Sequence, residues 1–249
     1  MKMEIKTEEE IKMMKEGGRI LAKILQKLSQ EVKPGITTNY LEELAKKLIF
    51  SFDAESSFLG FEGFPAVLCV SINEEIVHGI PSERILQEGD VLKLDMGVFY
   101  KGFHTDSALT VIVGESRDFP KKELLRVTRE ALEIGITQAK IGNTTGDIGS
   151  TIQKFVRKNG FEVVQDLVGH GIGKELHEPP QVPNFGKPKT GAELFEGMVI
   201  AIEPMVVVGK KETKKGKDGF SFVTKDGSLS AHFEHTVAVT KNGPLVLTN

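Results

Sequence analysis

Four acidic residues lie at the ends or edges of apolar runs, and they occur in two pairs with similar sequence surroundings. Asp95 ends the apolar run in EGDVLKLDMG, residues 88–97, and Glu203 takes its place in EGMVIAIEPM, 108 positions later. In the same way, Asp106 in FHTDSALTV is matched by Glu234 in HFEHTVAV. A buried carboxylate costs several kcal/mol unless a positive group meets it. One such acid would indicate only a strand that surfaces there, but the repeated pattern indicates a bound cation.

The first pair is expected to meet across a hairpin. A turn at Tyr100–Lys101 would place Asp95 directly opposite Asp106, with their Cβ atoms about 4.5–5.5 Å apart, which is destabilising for like charges. The second pair would repeat this arrangement across a longer connection. Four anions cannot share one pocket without multivalent metal, so the sequence predicts a metal centre where two halves meet. The alternative is two independent surface hairpins.

Three histidines belong to the same pattern. His170 and His177 lie in the Gly-rich stretch VGHGIGKELHEPPQ, residues 168–181, and His78 in INEEIVHGIP is the counterpart of His177 in the first half. A single loop histidine is usually only a polar loop residue. Beside a carboxylate cluster, we interpret these three as ligand and proton-handling groups.

The ligand types restrict the metal. Two Asp, two Glu and one His form a set suited to Mn, Fe, Co or Zn. Two ions fit better than one, because bridging carboxylates can serve both, and a water between ions about 3.5–4 Å apart is acidified into a nucleophile.

Composition narrows the class of protein. The 249 residues are 39% hydrophobic and 27% charged, which fits a soluble globular protein of one large or two small domains. A net charge of −3 argues against general nucleic-acid binding. The start MKMEIKTEEE lacks a signal-peptide core and no run approaches the roughly 18 apolar residues of a membrane span, so we expect a cytoplasmic protein without membrane contact. Cys69 is the only cysteine, which excludes an internal disulfide and a thiolate zinc cluster.

The secondary-structure pattern is also duplicated. Helical spacing predicts a helix from Thr7 to about Glu31, opened by a Thr7–Glu10 capping box, and another at residues 119–139. GITTNYLEELAKKL opens a second helix, and GNTTGDIGSTIQKF repeats it 107 positions later. Strands are predicted near 66–72, 91–95, 107–113, 162–168, 198–208 and 232–239. We therefore expect one α+β domain over residues 1–249, with half-repeats at about 7–114 and 119–240 and approximate internal two-fold symmetry.

Seven motifs in order carry a resemblance to a known family. They are VHGIP, LDMG, GFHTDSA, GHGIG, LHEPP, AIEPM and FEHTV. The chain resembles the type I methionine aminopeptidases of the pita-bread metallopeptidase family M24, from its first helix to its last strand. The resemblance implies a pita-bread fold, a curved antiparallel sheet covered by two helix pairs. It also implies that the ligands of two divalent ions are Asp95, Asp106, His170, Glu203 and Glu234.

The resemblance further assigns roles within this set. Asp106 and Glu234 would bridge the ions, Asp95 would hold one, and His170 with Glu203 the other. His78 and His177 would be catalytic residues that touch the substrate, His78 near the scissile amide nitrogen and His177 near the carbonyl, while Glu203 would shuttle a proton. The implied reaction is removal of the initiator methionine from nascent proteins with a small second residue, by attack of a metal-bridging water or hydroxide.

The methionine pocket is assigned to the loop FLGFEGFP, residues 58–65, with two residues from elsewhere. Relatives commonly carry Tyr and Trp where this chain has Phe61, Phe64 and Phe220. They commonly have a small residue in place of Phe58 and Phe in place of Leu176. The shape of the pocket is therefore left open. Cys69 could equally be core filling. The resemblance also suggests a Na⁺ or K⁺ ion near Asn73 and Ser230. The implied substrate-binding residues, besides His78 and His177, are Phe58, Phe61, Phe64, Cys69 and Phe220.

Two alternative functions are compatible with parts of this pattern. An X-Pro dipeptidase of the same fold is the nearest rival, and a metal-free binding protein that lost the chemistry is the alternative from another class. A nascent substrate implies the ribosome as a transient partner, for which the basic turn GKKETKKGKDG, residues 209–219, is the candidate contact. The alternative interpretation of this turn is a solvated loop. We expect a monomer.

Overall fold

The computed structural model describes residues 3–115 and 118–249. Four α-helices and one short 3-10 helix, Phe61–Gly63, accompany fifteen strands in this part of the chain. The α-helices are α1 (Glu8–Glu31), α2 (Thr38–Ser51), α3 (Phe119–Ile136) and α4 (Thr145–Lys158). The strands are β1 (Glu55–Ser56), β2 (Cys69–Ile72), β3 (Glu75–Val77), β4 (Val91–Tyr100), β5 (Phe103–Ile112), β6 (Glu162–Val163), β7 (Gly169–Gly171), β8 (Glu178–Val182), β9 (Val199–Ile202), β10 (Met205–Val207), β11 (Thr213–Lys215), β12 (Phe222–Thr224), β13 (Ser230–His232), β14 (Glu234–Thr240) and β15 (Gly243–Val246).

The helices begin where local capping chemistry predicts. Thr7 forms the expected capping box with Glu10 at the start of α1, and Thr144 forms one with Asp147 at the start of α4. Helix α3 ends at Ile136, three residues before the predicted limit. No α-helix in the described residues is long and apolar enough to cross a membrane.

The central sheet joins the two halves of the chain. Its nine strands include the path β1-β4-β5-β14-β9-β7-β8, with β2 paired to β4 and β15 paired to β14, and all of these pairings are antiparallel. Helix α1 lies against β4 and β5, and α3 packs on α4. One apolar cluster is built mainly from the first half and a second from residues 124–239.

The predicted register of the β4–β5 hairpin is wrong by two residues. Asp95 pairs with Ala108, and Asp106 pairs with Gly97, so the two acids are diagonal neighbours instead of directly opposite. The cause lies in the turn, which falls at Lys101–Gly102, where φ is 50° and 85°. Two successive positive φ angles are the signature of the tight turn that suits the twist of a hairpin.

The predicted strand at 198–208 is interrupted at one of the acidic residues. Strand β9 ends at Ile202 and β10 begins at Met205, so Glu203 and Pro204 lie in the gap between two different sheets. Proline cannot donate a backbone hydrogen bond, which favours a break at this point. The predicted strand at 162–168 is likewise shorter, since β6 covers only two residues.

Side-chain hydroxyls join β5 to β14, beyond their short backbone ladder, and also to the preceding strand β13. Thr236 Oγ1 accepts a hydrogen bond from Asp106 N at 2.9 Å and donates one to Asp106 O at 2.8 Å. Ser107 Oγ donates to Glu234 O at 2.8 Å. Thr110 Oγ1 donates to His232 O and accepts from His232 N. These hydroxyls satisfy buried backbone groups where the halves meet and thereby fix the acidic residues of both strands.

We predict that Thr236→Val lowers the free energy of unfolding by about 1–3 kcal/mol, because it leaves a buried N–H and a buried C=O of Asp106 without their partner. Urea denaturation measures this loss. The matched control is Thr240→Val, since Thr240 Oγ1 also donates to one backbone carbonyl (Gly243 O) and accepts from one backbone N–H (Asn242 N), but in the partly exposed β14–β15 turn, where water can replace these bonds. Equal losses in the two variants would contradict the prediction.

Candidate metal centre

Three carboxylates lie on the same face of three adjacent strands. Asp95 on β4 and Glu234 on β14 are both paired with Ala108, which lies between them on β5. Asp106 is two residues from Ala108 and therefore shares its face of the sheet. The methyl side chain of Ala108 leaves the space between the acids open.

The fourth carboxylate enters from the break between β9 and β10. His235 pairs with Ile202, so the next position along this register places Glu203 against Glu234. Burial raises the pKa of Glu203 well above its usual range, and the negative charge of Asp106 adds to the effect. The two halves thus bring all four predicted acids to one place.

The carboxylates are buried without enough partners of their own. Asp95 Oδ1, Asp106 Oδ1 and Glu234 Oε1 make no hydrogen bond within the described structure. Burial raises the pKa of Asp106 to about 7. Burial first, and then the neighbouring negative charges, raise the pKa values of Asp95 and Glu234 well above their usual range. Oxygen atoms in this condition fit a multivalent cation, which would remove both the repulsion and the missing partners.

His170 is the fifth candidate ligand. One potential ligand atom from each of Asp106, His170 and Glu234 lies within 4.8 Å of the other two. His170 Nδ1 is 2.8 Å from the Gly171 carbonyl, which can only accept, so Nδ1 carries the proton and Nε2 keeps its lone pair. Burial lowers the pKa of His170 to about 3, which keeps the ring neutral, as a metal ligand must be.

The other two predicted histidines stand over the carboxylates. The rings of His170 and His177 are 4.3 Å apart, and Phe61 packs edge-on against His177 at 5.0 Å. His78 adopts φ of 59°, an uncommon conformation for a residue with a side chain, and faces Phe222 at 5.9 Å. Withdrawal from bulk water into the cavity wall lowers the pKa of His78 to about 4 and also lowers that of His177. Both rings are therefore neutral hydrogen-bonding groups at neutral pH.

A cavity of about 410 Å³ contains these groups and an aromatic wall. Phe64 packs edge-on against Phe58 at 6.5 Å and against Phe220 at 5.6 Å. Cys69 also lines the cavity and lies opposite Asp95 in the β2–β4 ladder, and burial raises the pKa of its thiol, so it stays neutral. The wall is apolar and the floor is acidic, a combination that suits a ligand with one apolar and one positively charged end. The predicted site residues that line this cavity are Phe58, Phe61, Phe64, Cys69, His78, Asp95, Asp106, His170, His177, Glu203, Phe220 and Glu234.

The structure adds residues that the sequence interpretation missed. Phe222 and Lys215 come from the β11–β12 hairpin and line the cavity, with Lys215 Nζ 4.0 Å from the Phe222 ring centre. Glu62 lines it from the Phe61–Gly63 turn. His232 is fully buried, its Nε2 lies 3.8 Å from Glu203 Oε2, and neither ring nitrogen has a hydrogen-bond partner among the described residues. Its position two residues before Glu234 was the available signal.

Asn73 and Ser230, which the resemblance linked to a monovalent cation, lie outside the cavity lining. The Lys93 ammonium already contacts them: Nζ is 2.8 Å from Asn73 O and 3.3 Å from both Ser230 O and Ser230 Oγ. A positive charge is thus present at the predicted place, but it belongs to a side chain.

The strand pairing, the cluster of potential ligand atoms and the cavity are compatible with a metallopeptidase, and comparison with known proteins identifies the family. The model of metallopeptidase family M24 matches residues 12–241, and the chain belongs to this family. The fold is the pita-bread fold, with its curved antiparallel sheet and helix pairs.

Within the family, the chain is similar over almost its whole length to methionine aminopeptidases. It is 47% identical to the methionine aminopeptidase of Clostridium perfringens, over 98% of each chain. It is 46% identical to methionine aminopeptidase 1 of Bacillus subtilis, again over 98% of each. The crystal structure of methionine aminopeptidase from Thermotoga maritima superposes with a TM-score of 0.97 at 44% identity and covers 100% of both chains.

We predict opposite effects of Glu234→Gln with and without metal. The variant removes a buried carboxyl group whose raised pKa destabilises the metal-free fold at pH 8, because the group must either stay charged beside other acids or take up a proton, so the melting temperature of the metal-free protein should rise by roughly 2–6 °C. Saturating Mn²⁺ or Co²⁺ should stabilise the unaltered protein by about 2.7 kcal/mol at a hundredfold excess over Kd, and should stabilise the variant by less than about half as much. Differential scanning calorimetry on chelator-treated protein measures both shifts.

The control is Glu55→Gln, an exposed carboxylate on β1 that should change neither shift. The assignment of Glu234 as a ligand would be overturned if divalent ions did not change the melting temperature of the unaltered protein. It would also be overturned if they raised the melting temperature of Glu234→Gln by the same amount.

Proposed function

We propose that this protein is a methionine aminopeptidase, which hydrolyses the first peptide bond of nascent chains that begin with Met and carry a small second residue. The observation that carries the proposal is the cavity, where an aromatic and thiol wall adjoins the carboxylate and imidazole cluster. The similarity to methionine aminopeptidases over 98% of the chain supports it.

Two divalent ions, drawn from Mn, Fe, Co and Zn, would be held by the five ligands. Asp106 and Glu234 would be shared, Asp95 would hold one ion, and His170 with Glu203 would hold the other. Ions in such a pair supply an acidified water nucleophile and polarise the scissile carbonyl. The unsatisfied oxygens and the repulsion among the acids support this ligand set.

The remaining side chains bind and orient the peptide. The apolar wall would enclose the methionine side chain, with the thioether in contact with the Phe61, Phe64 and Phe220 rings, an arrangement that sulfur favours. The acidic floor attracts the α-ammonium group. Cys69 supplies a small, neutral and polarisable surface at the base of this wall.

Three groups would handle protons and developing charge. Neutral His177 can donate a hydrogen bond to the scissile carbonyl oxygen as negative charge develops there. His78 can hold the scissile amide nitrogen from the other side of the cavity. Glu203, whose pKa is raised by burial, can take a proton at its carboxylate and pass it to the leaving amine.

Both halves of the chain contribute to this one site, which supports a single catalytic domain over residues 1–249 with half-repeats at about 7–114 and 119–240.

We further propose that the protein acts as a monomer in the cytoplasm, where nascent chains are its substrates. Light scattering of purified protein tests the oligomeric state.

The deciding experiment is a peptide panel with metal analysis. Protein purified with its metal should release Met from Met-Gly-Ser at least a hundredfold faster than from Met-Leu-Ser, and should not cleave Xaa-Pro dipeptides. Preference for Xaa-Pro would favour the X-Pro dipeptidase, while protein without metal and without turnover would favour a binding protein.

His177→Ala is the matched variant in this panel. It should lower kcat/KM for Met-Gly-Ser by about 10²–10³ while metal binding is retained, because a donor to the carbonyl is lost and no proposed ligand is touched. Unchanged turnover would remove His177 from the mechanism.

We also propose transient contact with the ribosome through the 209–219 segment, which the structure forms into part of the β11–β12 hairpin. Its lysines at 210, 214 and 217 are exposed. Their joint substitution by Glu should leave Met-Gly-Ser turnover unchanged and reduce processing of chains on translating ribosomes, since the ribosome surface is anionic. Lys215 is left unaltered because it lines the cavity. Unchanged processing on ribosomes would contradict the contact.

A further inference from the structure

A lysine lies in the core of the sheet. Lys93 is the largest fully buried side chain of the described residues, with 1% of its surface exposed, and it belongs to the long strand β4. None of the ion pairs among the described residues includes it. An unpaired buried ammonium is costly, so its surroundings must compensate.

The compensation comes from neutral oxygens that converge on the ammonium. Lys93 Nζ lies 2.8 Å from Asn73 O, 3.3 Å from Val91 O, and 3.3 Å from both the carbonyl and the hydroxyl oxygen of Ser230. Burial lowers the pKa of Lys93 to about 7, and the carboxylates of Glu75 and Glu74 act against that shift. Three carbonyls and a hydroxyl around one charge resemble the coordination shell of a hard monovalent cation.

The oxygens are held in place independently of the lysine. Asn73 N donates to Val91 O at 2.8 Å, and Val91 N donates to Asn73 Oδ1 at 2.9 Å. Ser230 N and Ser230 Oγ both donate to Asn73 O, at 3.1 and 3.0 Å. These four oxygens, Asn73 O, Val91 O, Ser230 O and Ser230 Oγ, are called the oxygen cage here. Its shape is set by hydrogen bonds that do not involve the lysine, and its oxygens all contact the ammonium.

The cage connects the segments that carry the metal centre. Asn73 lies between β2 and β3, and β3 leads directly to His78. Lys93 precedes Asp95 by two residues on the same face of β4. Ser230 begins β13, which is followed by Glu234 at the start of β14. One positive charge thus ties strands of both halves together immediately beside the site.

We propose that the Lys93 ammonium serves as a built-in monovalent cation, which fills the oxygen cage and positions the strands of the metal centre so that no Na⁺ or K⁺ is needed there. Lys93 is a positioning residue that acts through these strands and does not touch the substrate. The inference concerns the folded chain itself and does not depend on the proposed reaction.

Replacement of the ammonium by free ions tests this role. In the metal-free protein, Lys93→Ala empties the cage, whereas Lys93→Met fills the same space without charge. Melting temperatures are compared at pH 6, where Lys93 is protonated, in sodium, potassium, ammonium and tetramethylammonium chloride at constant ionic strength, and tetramethylammonium is too large to enter. Lys27→Ala, an exposed position on α1, controls for loss of a lysine.

The unaltered protein and Lys27→Ala should melt at the same temperature in all four salts. Lys93→Ala should melt roughly 6–12 °C lower in tetramethylammonium chloride, and Na⁺, K⁺ or ammonium should restore part of this loss with saturable concentration dependence. Lys93→Met should be destabilised and should not respond. If Lys93 only fills space in the core, Na⁺, K⁺ and ammonium should not raise the melting temperature of Lys93→Ala above its value in tetramethylammonium. That result would overturn the proposal.

A second measurement decides the matter if Lys93→Ala does not fold in any salt. Crystals of the unaltered protein soaked in thallium(I) acetate should show no anomalous peak within the oxygen cage. A thallium peak there, or a saturable response of the unaltered protein to K⁺, would show that the cage takes an external ion and would contradict the built-in cation.

Discussion

The mutual repulsion of four buried carboxylates is the constraint on which the rest of this structure depends. Asp95, Asp106, Glu203 and Glu234 come from four different segments, and several of their oxygens have no partner in the folded chain. A flexible protein would separate them. The antiparallel sheet prevents this, because Asp95 and Glu234 are both registered on Ala108 and cannot move apart without breaking two ladders. The fold thus stores an electrostatic cost that divalent ions relieve.

The junction between the halves bears this cost. The backbone ladder between β5 and β14 is only two residue pairs long. The hydroxyls of Ser107 and Thr236 extend it, and Thr110 bonds His232 on the adjoining strand β13. Beside this junction lies the Lys93 ammonium in its oxygen cage. The centre of the molecule therefore combines two electrostatic ways to hold segments together. In one, anionic side chains converge on a place that suits metal ions. In the other, neutral oxygens surround a cation that the chain itself supplies.

Three histidines of the site share one buried environment but have different neighbours. Withdrawal from water lowers the pKa values of His78, His170 and His177, so all three are neutral at neutral pH. What differs is the neighbour: His170 has its Nδ1 engaged by a carbonyl and its Nε2 turned toward the acids, while the other two face the open cavity. In the proposed function, this difference in position makes His170 a metal ligand and makes His78 and His177 substrate-binding groups.

The sequence by itself determined the features that depend on local chemistry and on repetition. Capping boxes fixed the starts of α1 and α4, and the repeated acids and histidines identified the residues that the structure gathers in one cavity. Tertiary structure decided the rest. The hairpin register depended on a turn with two positive φ angles, Phe222 and Lys215 reached the cavity through a hairpin distant in sequence, and Lys93 proved to be core. From the sequence, a lysine is expected to be polar and exposed. Whether it is buried, and which oxygens surround its ammonium, depends on how distant segments pack in the assembled sheet.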